Sequence, residues 1–373
     1  MMGERKLHVA YVVTRGDELG GAQVHVRDMA KAMRARGHEA TIICGLRGDL
    51  TDQLEQQGVP FRSLPHLVRP VHPGKDLLGL LELRSALSDL RPAVVSLHSS
   101  KAHLLGSLAA RMLDLPVLIT AHGWPFADGI PSTRRHFYAL YERSATRLAT
   151  MVVTVSHHDL ELARRHGMTG KRGISVIHNG MPDDTRRRDH NRTSEPTRLL
   201  MVGRHVPQKD HATLFRALAK LRHKAWIIDL VGAGPDEGKN KAIARQLGLT
   251  ERARFLGYRT DVPDLMMQAD INVLISNWEG LPRSIIEAMR AELPTVASDV
   301  GGNRELIDDD CTGYLVPRGD ADAVAHRIAD LIDDRHKRQA LGANARRMFM
   351  QSFTFDAMFD NTMAVYRRIL ETL

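Results

Sequence analysis

The sequence predicts an α/β protein made of two doubly wound domains, and three observations lead to this fold class. The chain has 373 residues, more than the roughly 100 to 200 residues of one ordinary domain. Short apolar runs rich in β-branched residues alternate with amphipathic helical stretches, which is the pattern of a parallel sheet covered by helices. The alternation stops once, at a polar segment, and then starts again.

The first series of elements predicts one domain over residues 1–183. Its strand-like runs are HVAYVVT, EATIICG, AVVSLHS and PVLITAH, and its helical stretches are AQVHVRDMAKAMRARG, LLGLLELRSALSDLRP and KAHLLGSLAARMLDL. The segment MPDDTRRRDHNRTSEP carries charge but no apolar period, which predicts a linker over residues 184–196.

The second series predicts another domain over residues 197–355. Its strand-like runs are TRLLMVG, AWIIDLVG, ARFLG, DINVLIS and PTVASD, and its helical stretches include HATLFRALAKLR, KNKAIARQLG and PRSIIEAMRA. In open α/β sheets the ligand crevice lies outside the carboxyl ends of the strands. We therefore expect the site where these ends of the two domains face each other.

Composition excludes some classes of protein. The chain is 43% hydrophobic and 26% charged, with no apolar run of the length a membrane span requires, which is typical of a soluble globular protein. The net charge of +8 favours anionic partners, yet no zinc-finger spacing, RNP-like motif or continuous basic stripe supports nucleic acid. Cys44 and Cys311 show no metal-ligand spacing, and we expect a reducing cytoplasm.

Two glycine loops suggest a nucleotide, but neither is decisive. LVGAGPDEG follows a strand and resembles a dinucleotide fingerprint, yet its spacing is GxGxxxG and Pro235 disturbs the turn, so an NAD-dependent oxidoreductase is weakly supported. In ELGGAQVHV, Gly20 and Gly21 open a helix after the first strand. Their backbone could approach a phosphate or a sugar closely, and a simple tight turn is the alternative.

The loop VGRHVPQKD predicts a diphosphate site. Arg204 and Lys209 follow the strand LLMV at the expected ligand edge. Arginine can bind phosphate bidentately and lysine adds a compact charge, so together they could neutralise a departing diphosphate without a metal ion. In isolation, two such residues would more often belong to a solvated loop.

The stretch SNWEGLPRSIIEAM places two carboxylates around the start of a helix. Glu279 lies in the turn after a buried strand, Gly280 allows a close backbone approach, and Pro282 is expected as the first helical residue. Glu287 lies in the mostly apolar part of the helix, where an unpaired carboxylate is costly unless it accepts hydrogen bonds. A ribose diol would supply them; two surface glutamates are the alternative.

Together these motifs resemble the retaining glycosyltransferases of family 4. The resemblance rests on Glu279 and Glu287 as E-x7-E, on Arg204 and Lys209 as R-x4-K, and on VIHNGMP, SDVGGNREL and GYLVP. It implies the GT-B fold, in which two Rossmann-like doubly wound domains face each other across a cleft. It also implies that the C-terminal domain holds most of the donor and that residues 356–373 form a helix crossing back to the N-terminal domain.

The resemblance implies a role for each matched residue. Glu287 would hold the ribose hydroxyls of a nucleotide sugar, Glu279 the hydroxyls of the transferred sugar, and Arg204 with Lys209 the diphosphate. The remaining implied contacts are the backbone of Gly280 and Leu281 along the donor, the main chain of Arg259 at the base, Gly21 approaching the donor, and His122 near the sugar. Without the resemblance, a histidine at a strand end such as His122 would more often be structural. No cofactor or divalent metal is expected.

The expected reaction moves a sugar from a nucleoside diphosphate donor, expected to be UDP-linked, to a glycan or lipid-linked glycan. The helix around Phe137, Tyr138 and Tyr141 also carries arginines, a combination that could contact an anionic membrane on the cytoplasmic face, although its aromatics could equally join the core.

The competing functions are a sugar-nucleotide epimerase on the same fold and a non-catalytic sugar-nucleotide-binding subunit. The oligomeric state is not indicated.

Overall fold

The chain divides into two compact units, one formed by residues 1–177 together with 359–373 and the other by residues 178–358. The structure, a computed structural model, describes residues 6–127, 132–184, 186, 188 and 195–371, without the side chains of residues 132–134. Most of the predicted linker, residues 184–196, therefore lies outside the described residues. The domain boundaries expected from the sequence stay predictions.

The first unit is a parallel sheet with helices between its strands. Its strands are β1 (His8–Val12), β2 (Glu39–Cys44), β3 (Phe61–Ser63), β4 (Val94–Leu97), β5 (Val117–Ala121), β6 (Met151–Thr154) and β7 (Ile174–Val176). Its helices are α1 (Gly21–Ala35), α2 (Asp49–Gln56), α3 (Pro73–Leu90), α4 (Ser100–Arg111), α5 (Ser132–Leu148) and α6 (His157–Arg165).

In this sheet the first strand lies inside, not at an edge. Within the described ranges the order is β3-β2-β1-β4-β5-β6-β7, and β1 pairs in parallel with β2 and with β4. Residues 9–12 of β1 all have an exposed fraction of 0%. Burial on both faces explains why the strand reads as a continuous apolar run without alternation.

The last helix, α14 (Phe355–Leu370), contributes most of its length to the first unit. The guanidinium of Arg36 lies 4.1 Å from the centroid of the Phe359 ring. Arg172 donates a hydrogen bond of 2.7 Å to the carbonyl of Ile369, and Tyr366 is fully buried. The helix is therefore part of the core of this unit.

The second unit repeats the same architecture. Its strands are β8 (Thr197–Val202), β9 (Trp226–Val231), β10 (Ala253–Gly257), β11 (Ile271–Leu274), β12 (Thr295–Ser298) and β13 (Gly313–Val316). Its helices are α7 (His211–Lys220), α8 (Glu237–Gln246), α9 (Val262–Gln268), α10 (Arg283–Arg290), α11 (Asn303–Leu306), α12 (Ala321–Asp333) and α13 (Arg335–Ser352).

The second sheet has its first strand inside as well. In the part of the chain that the structure describes, the order is β10-β9-β8-β11-β12-β13, with every pairing parallel. Each unit is thus a doubly wound α/β domain, and the predicted fold class is confirmed. The prediction that Pro282 is the first helical residue is wrong: α10 begins at Arg283, and Pro282 precedes it as the N-cap residue.

The glycines of the near-fingerprint LVGAGPDEG are explained by loop packing. Gly232 has φ +138°, and a Cβ there would lie 2.2 Å from the carbonyl oxygen of Gly203. A Cβ at Gly234 would lie 2.3 Å from the carbonyl oxygen of His205. Both glycines therefore allow the loop after β9 to pack against the loop after β8. At Gly238 a Cβ would meet no described atom within 4 Å, so the helix packing that a dinucleotide fingerprint requires of its third glycine is missing.

No helix in the described ranges combines the length and the apolar character needed to cross a bilayer.

The loop packing predicts different effects for two glycine substitutions. Gly232→Ala should destabilise the second unit by about 2 to 4 kcal/mol, because it adds a strained backbone conformation to a backbone clash. Gly238→Ala is the matched control in α8 and should leave stability unchanged or raise it by up to about 1 kcal/mol. Urea unfolding of both variants measures the difference. Equal losses would contradict this explanation of the loop.

Candidate functional site

Two loops meet at the centre of the second sheet. The chain leaves β8 and β11, which are neighbours, toward opposite ends of the strand order, which makes their carboxyl ends the topological switch point. The amide of Asp210 donates to the carbonyl of Ile275 at 2.9 Å, and the amide of Asn277 donates to the carbonyl of Gln208 at 2.8 Å. The loops after β8 and β11 are therefore joined by backbone hydrogen bonds.

Glu279 is the centre of a side-chain network across these two loops. It is 6% exposed. Its Oε1 forms an ion pair with Lys209 Nζ and accepts a hydrogen bond of 2.6 Å from Ser276 Oγ. Its Oε2 accepts a hydrogen bond of 3.1 Å from Gln208 Nε2. Sequence reasoning found Glu279 and Lys209 but missed Ser276, two residues after β11, and Gln208, in the loop between β8 and α7.

The ion pair constrains both loops because it is shielded from water. The side chains of Lys209 and Glu279 are 11% and 5% exposed. Removing one partner of a buried pair leaves an uncompensated charge, at a cost of about 3 to 5 kcal/mol. The pair therefore fixes the positions of both side chains more firmly than a surface ion pair would.

The turn that carries Glu279 rests on a glycine that sequence reasoning did not identify. Gly301 has φ +56°, and a Cβ there would lie 1.9 Å from the carbonyl oxygen of Glu279. The amide of Gly302 donates to the carbonyl of Gly280 at 2.8 Å. Only a residue without a side chain allows the loop after β12 to approach this closely. The signal was the GG pair in SDVGGNREL, whose packing role could not be read without the tertiary structure.

Glu287 has a different environment from Glu279. It lies on α10, is half-buried, and its carboxylate makes no hydrogen bond to another residue of the described ranges. Burial raises the pKa of Glu287, although the positive charges of Arg283 and Arg290 act in the opposite direction. A desolvated carboxylate with open acceptor sites is suited to binding hydroxyl groups.

The other predicted donor residues lie at the same edge of the second sheet. Arg204 follows β8, is exposed, and pairs with no carboxylate among the described residues. The side chain of Arg259, after β10, pairs instead with Asp261 at 2.6 and 2.8 Å, leaving its main chain as the predicted contact. Gly280 is half-buried, and the carbonyl of buried Leu281 accepts a hydrogen bond of 3.1 Å from an asparagine side chain.

In the first unit, histidines gather at the carboxyl ends of the central strands. His122 follows β5 and is half-buried. Its Nε2 lies 3.0 Å from Nδ1 of His98, which follows β4, and its ring centroid lies 4.8 Å from that of His25 on α1. Gly21 is the exposed first residue of α1. Sequence reasoning found His122 and Gly21 but missed His98 and His25.

The helix predicted to contact a membrane, α5, divides its aromatic residues between two environments. Phe137 is 61% exposed. Tyr138 packs against the core of the first unit, and Tyr141 is half-buried with a pKa that burial raises. Arg147 is exposed, whereas the side chain of Arg134 lies outside the described residues. Tyr138 thus follows the alternative in which aromatics join the core.

Two family models match adjoining parts of the chain. One, described as glycosyl transferases group 1, matches residues 182–348, and the other, described as a glycosyl transferase 4-like domain, matches residues 20–180. The chain belongs to the family 4 glycosyltransferases and is an enzyme of that class. This assignment favours the transferase over the epimerase and over the non-catalytic subunit.

Individual relatives are similar over most of their length. The UDP-Gal:alpha-D-GlcNAc-diphosphoundecaprenol alpha-1,3-galactosyltransferase of Escherichia coli is 27% identical, covering 88% of this chain and 88% of that protein. The putative glycosyltransferase EpsD of Bacillus subtilis is 29% identical, over 80% of this chain and 83% of EpsD. The structure of Anabaena HepE in complex with UDP-glucose has a TM-score of 0.81 at 24% identity, covering 98% and 100% of the two chains.

The burial of His211, beside the site, predicts how the free energy of unfolding depends on pH. His211 Nδ1 donates to the carbonyl of Lys209 at 3.1 Å, and its ring stacks on His205 at 4.4 Å. Burial, with the neighbouring His205 ring, lowers the pKa of His211 to about 4. The unfolded chain therefore binds more protons than the folded chain between pH 6.5 and 4, and stability falls as pH falls through this window.

The expected loss at the acid end is on the order of 3 kcal/mol, since each pKa unit corresponds to about 1.4 kcal/mol. His211→Asn should flatten this part of the pH profile, measured as the urea midpoint from pH 7 to 4. His223→Asn, at an exposed position, is the control and should leave the profile unchanged. A profile that keeps its slope in His211→Asn would exclude His211 as the cause.

Proposed function

We propose that this enzyme transfers a sugar, with retention, from a UDP-sugar to a glycan or lipid-linked glycan in cell-envelope or polysaccharide biosynthesis. The observation that carries the proposal is the pair of unlike carboxylates, Glu279 and Glu287, at the switch point of the second sheet. The name of the Escherichia coli relative specifies a UDP-linked donor, and HepE was crystallised with UDP-glucose. Both support uracil as the base.

The half-buried carboxylate of Glu287 is proposed to hold the ribose of the donor. Its oxygens can accept two hydrogen bonds from a vicinal diol, which would compensate for the desolvation that raises its pKa. Arg259 is proposed to contact the base through its main chain, with the backbone of Gly280 and Leu281 along the donor. Arg259, Gly280 and Leu281 follow strands of one sheet at their carboxyl ends, and Glu287 lies on the helix that begins at the same edge.

The diphosphate is proposed to bind between Arg204, Lys209 and the start of α10. The guanidinium of Arg204 is exposed and available, whereas Lys209 is held by Glu279. The first N–H groups of a helix have no intrahelical acceptor and favour negative charge. Positive groups fixed before the reaction stabilise the charge that develops on a departing diphosphate.

The sugar is proposed to lie at Glu279. Its Oε2 accepts one hydrogen bond from protein and retains capacity for a sugar hydroxyl. In the transfer step the bond between the anomeric carbon and the diphosphate oxygen breaks, and the acceptor oxygen bonds to that carbon from the same face. The acceptor proton passes to the departing diphosphate. The roles of His122, near the sugar, and of Gly21, near the donor, stay proposals.

Nucleotide binding tests the donor site. Calorimetry with UDP, GDP and ADP in the presence of EDTA should show binding of UDP. Glu287→Gln should weaken it at least tenfold, because a hydrogen bond to a charged group contributes about 1.5 to 3 kcal/mol. The same variant without nucleotide should be at least as stable as the unmodified protein at pH 7, since a desolvated charge is removed. Glu251→Gln, at an exposed position, is the matched control.

Two outcomes would contradict the donor assignment. Binding of none of the three nucleotides would remove the support for a nucleoside diphosphate donor. Binding that is equally strong in Glu287→Gln would show that this carboxylate does not hold the ribose.

The surface of α3 supports a lipid-linked acceptor. Leu77, Leu78 and Leu81 are 59%, 46% and 50% exposed, and Val71, just before the helix, is 74% exposed. Their spacing places the three leucines on one face of α3. Clusters of exposed large apolar residues are uncommon on a surface that faces only water.

The same apolar character recurs on α5, where Phe137 and Leu140 are 61% and 65% exposed. The almost fully buried helix α4 packs against both α3 and α5, and the N-termini of α3 and α5 lie at the carboxyl ends of the strands. We name the exposed apolar residues of α3 and α5 the α3–α5 face. Lys75 on α3 and Arg147 on α5 are exposed as well, and a combination of exposed apolar and basic residues suits an anionic membrane that carries the acceptor. The name of the Escherichia coli relative specifies such an acceptor, a diphosphoundecaprenol.

Liposome binding tests the membrane proposal. The protein should co-sediment with acidic liposomes at low salt, and the combined Leu77→Ser, Leu81→Ser and Phe137→Ser variant should lose at least nine-tenths of this binding. Burying each side chain contributes about 1.5 kcal/mol or more. Leu46→Ser with Met350→Ser, at exposed apolar positions outside α3, α4 and α5, is the control. No co-sedimentation at low salt, or equal losses in both variants, would refute the proposal.

A further inference from the structure

A buried series of hydrogen bonds leads from the C-terminal helix to His122. The hydroxyl of Tyr366 on α14 donates to Ser96 Oγ on β4 at 3.2 Å. Ser96 Oγ lies 2.9 Å from His98 Nε2, and His98 Nδ1 lies 3.0 Å from His122 Nε2. Tyr366 and Ser96 are fully buried and His98 is 3% exposed. Every member belongs to the first unit.

The protonation state of the series is set by burial. Burial lowers the pKa of His98 well below its usual value, and the neighbouring histidines His25, His122 and His103 lower it further. Burial also raises the pKa of Tyr366 to about 12, so its hydroxyl keeps its proton at neutral pH. A neutral imidazole has one N–H donor and one nitrogen acceptor. His98 therefore donates one of its two hydrogen bonds and accepts the other.

The number of protons in the series determines which atom donates in each hydrogen bond. Because Tyr366 donates to Ser96, the hydroxyl proton of Ser96 needs an acceptor of its own. If Ser96 donates to His98 Nε2, His98 donates from Nδ1 to His122 Nε2, and each hydrogen has an acceptor. In the opposite direction His98 would donate to Ser96 and Ser96 would donate to the Tyr366 oxygen, which leaves a buried tyrosine hydroxyl proton without an acceptor among the described residues. An unsatisfied buried hydroxyl is costly, so the first direction is favoured.

We infer that His98 is a positioning residue that fixes the ring orientation and the tautomer of His122, so that His122 carries its proton on Nδ1. This inference rests on the proposed function, in which His122 lies near the transferred sugar. A neutral ring with a fixed Nδ1–H can donate a hydrogen bond to a sugar hydroxyl. It does so without adding positive charge near an anomeric carbon that itself becomes positive in the transition state. The hydrogen bond from Tyr366 to Ser96 makes Ser96 donate to His98 Nε2, so that His98 donates from Nδ1 to His122.

The tautomer is measured by two-bond ¹H–¹⁵N correlation of the full-length protein labelled at histidine, without any substrate. His98 and His122 should both show a protonated Nδ1 and an unprotonated Nε2. An Nε2-protonated His122 in the unmodified protein would overturn the inference, and this result needs no variant to fold. Because the readout does not use activity, it remains separate from the test of the proposed function.

Two variants test whether the hydrogen bond from His98 sets the tautomer of His122. His98→Leu removes the donor, so His122 should become a mixture of tautomers or become protonated at Nε2. His98→Asn can donate from its side-chain amide to the same nitrogen and should retain the Nδ1-protonated form. A merely structural role for His98 would leave the tautomer of His122 unchanged in both variants, and that result would refute positioning through the hydrogen bond.

Discussion

The ion pair between Lys209 and Glu279 is the interaction on which the candidate site depends. It joins the loops that follow β8 and β11, the two neighbouring strands from which the chain turns in opposite directions. The position is a consequence of topology, because a parallel sheet that begins at an inner strand opens a crevice at its carboxyl edge. Ser276 and Gln208 each donate a further hydrogen bond to the carboxylate of Glu279. Gly301, in the loop after the next strand, β12, packs closely against the turn that carries Glu279 and fixes its position.

The two glutamates show how one short stretch can provide two kinds of carboxylate. Glu279 is buried and accepts three side-chain contacts, so it is stabilised before any ligand arrives. Glu287 is half-buried and lacks such contacts among the described residues, and burial raises its pKa. A site that holds a ligand tightly leaves some of its polar groups to be satisfied by that ligand. These two environments fit the proposed roles, in which Glu287 binds the ribose and Glu279, already held in place by the protein, binds the transferred sugar.

The fold could be predicted from the sequence because buried parallel strands and amphipathic helices have distinct local patterns. Lys209 and Glu279 could be found as separate residues, but not as a pair, since 70 positions separate them. Gly301 could not be found, because its close approach depends on where another loop lies. His98 was missed for the same reason: a histidine after a buried strand shows its hydrogen-bond partners only when β4, β5 and α14 are packed. The inward turn of Tyr138 likewise depends on the orientation of α5.

The most direct test of this account compares the affinities of UDP and UMP for the unmodified protein, for Lys209→Met and for Glu279→Gln. If Lys209, held by Glu279, binds the terminal phosphate, the unmodified protein prefers UDP at least tenfold, equivalent to about 1.4 kcal/mol. Lys209→Met then loses most of this preference while UMP binding is retained, and Glu279→Gln loses part of it. An unchanged preference for UDP in Lys209→Met would contradict the central role assigned to the ion pair.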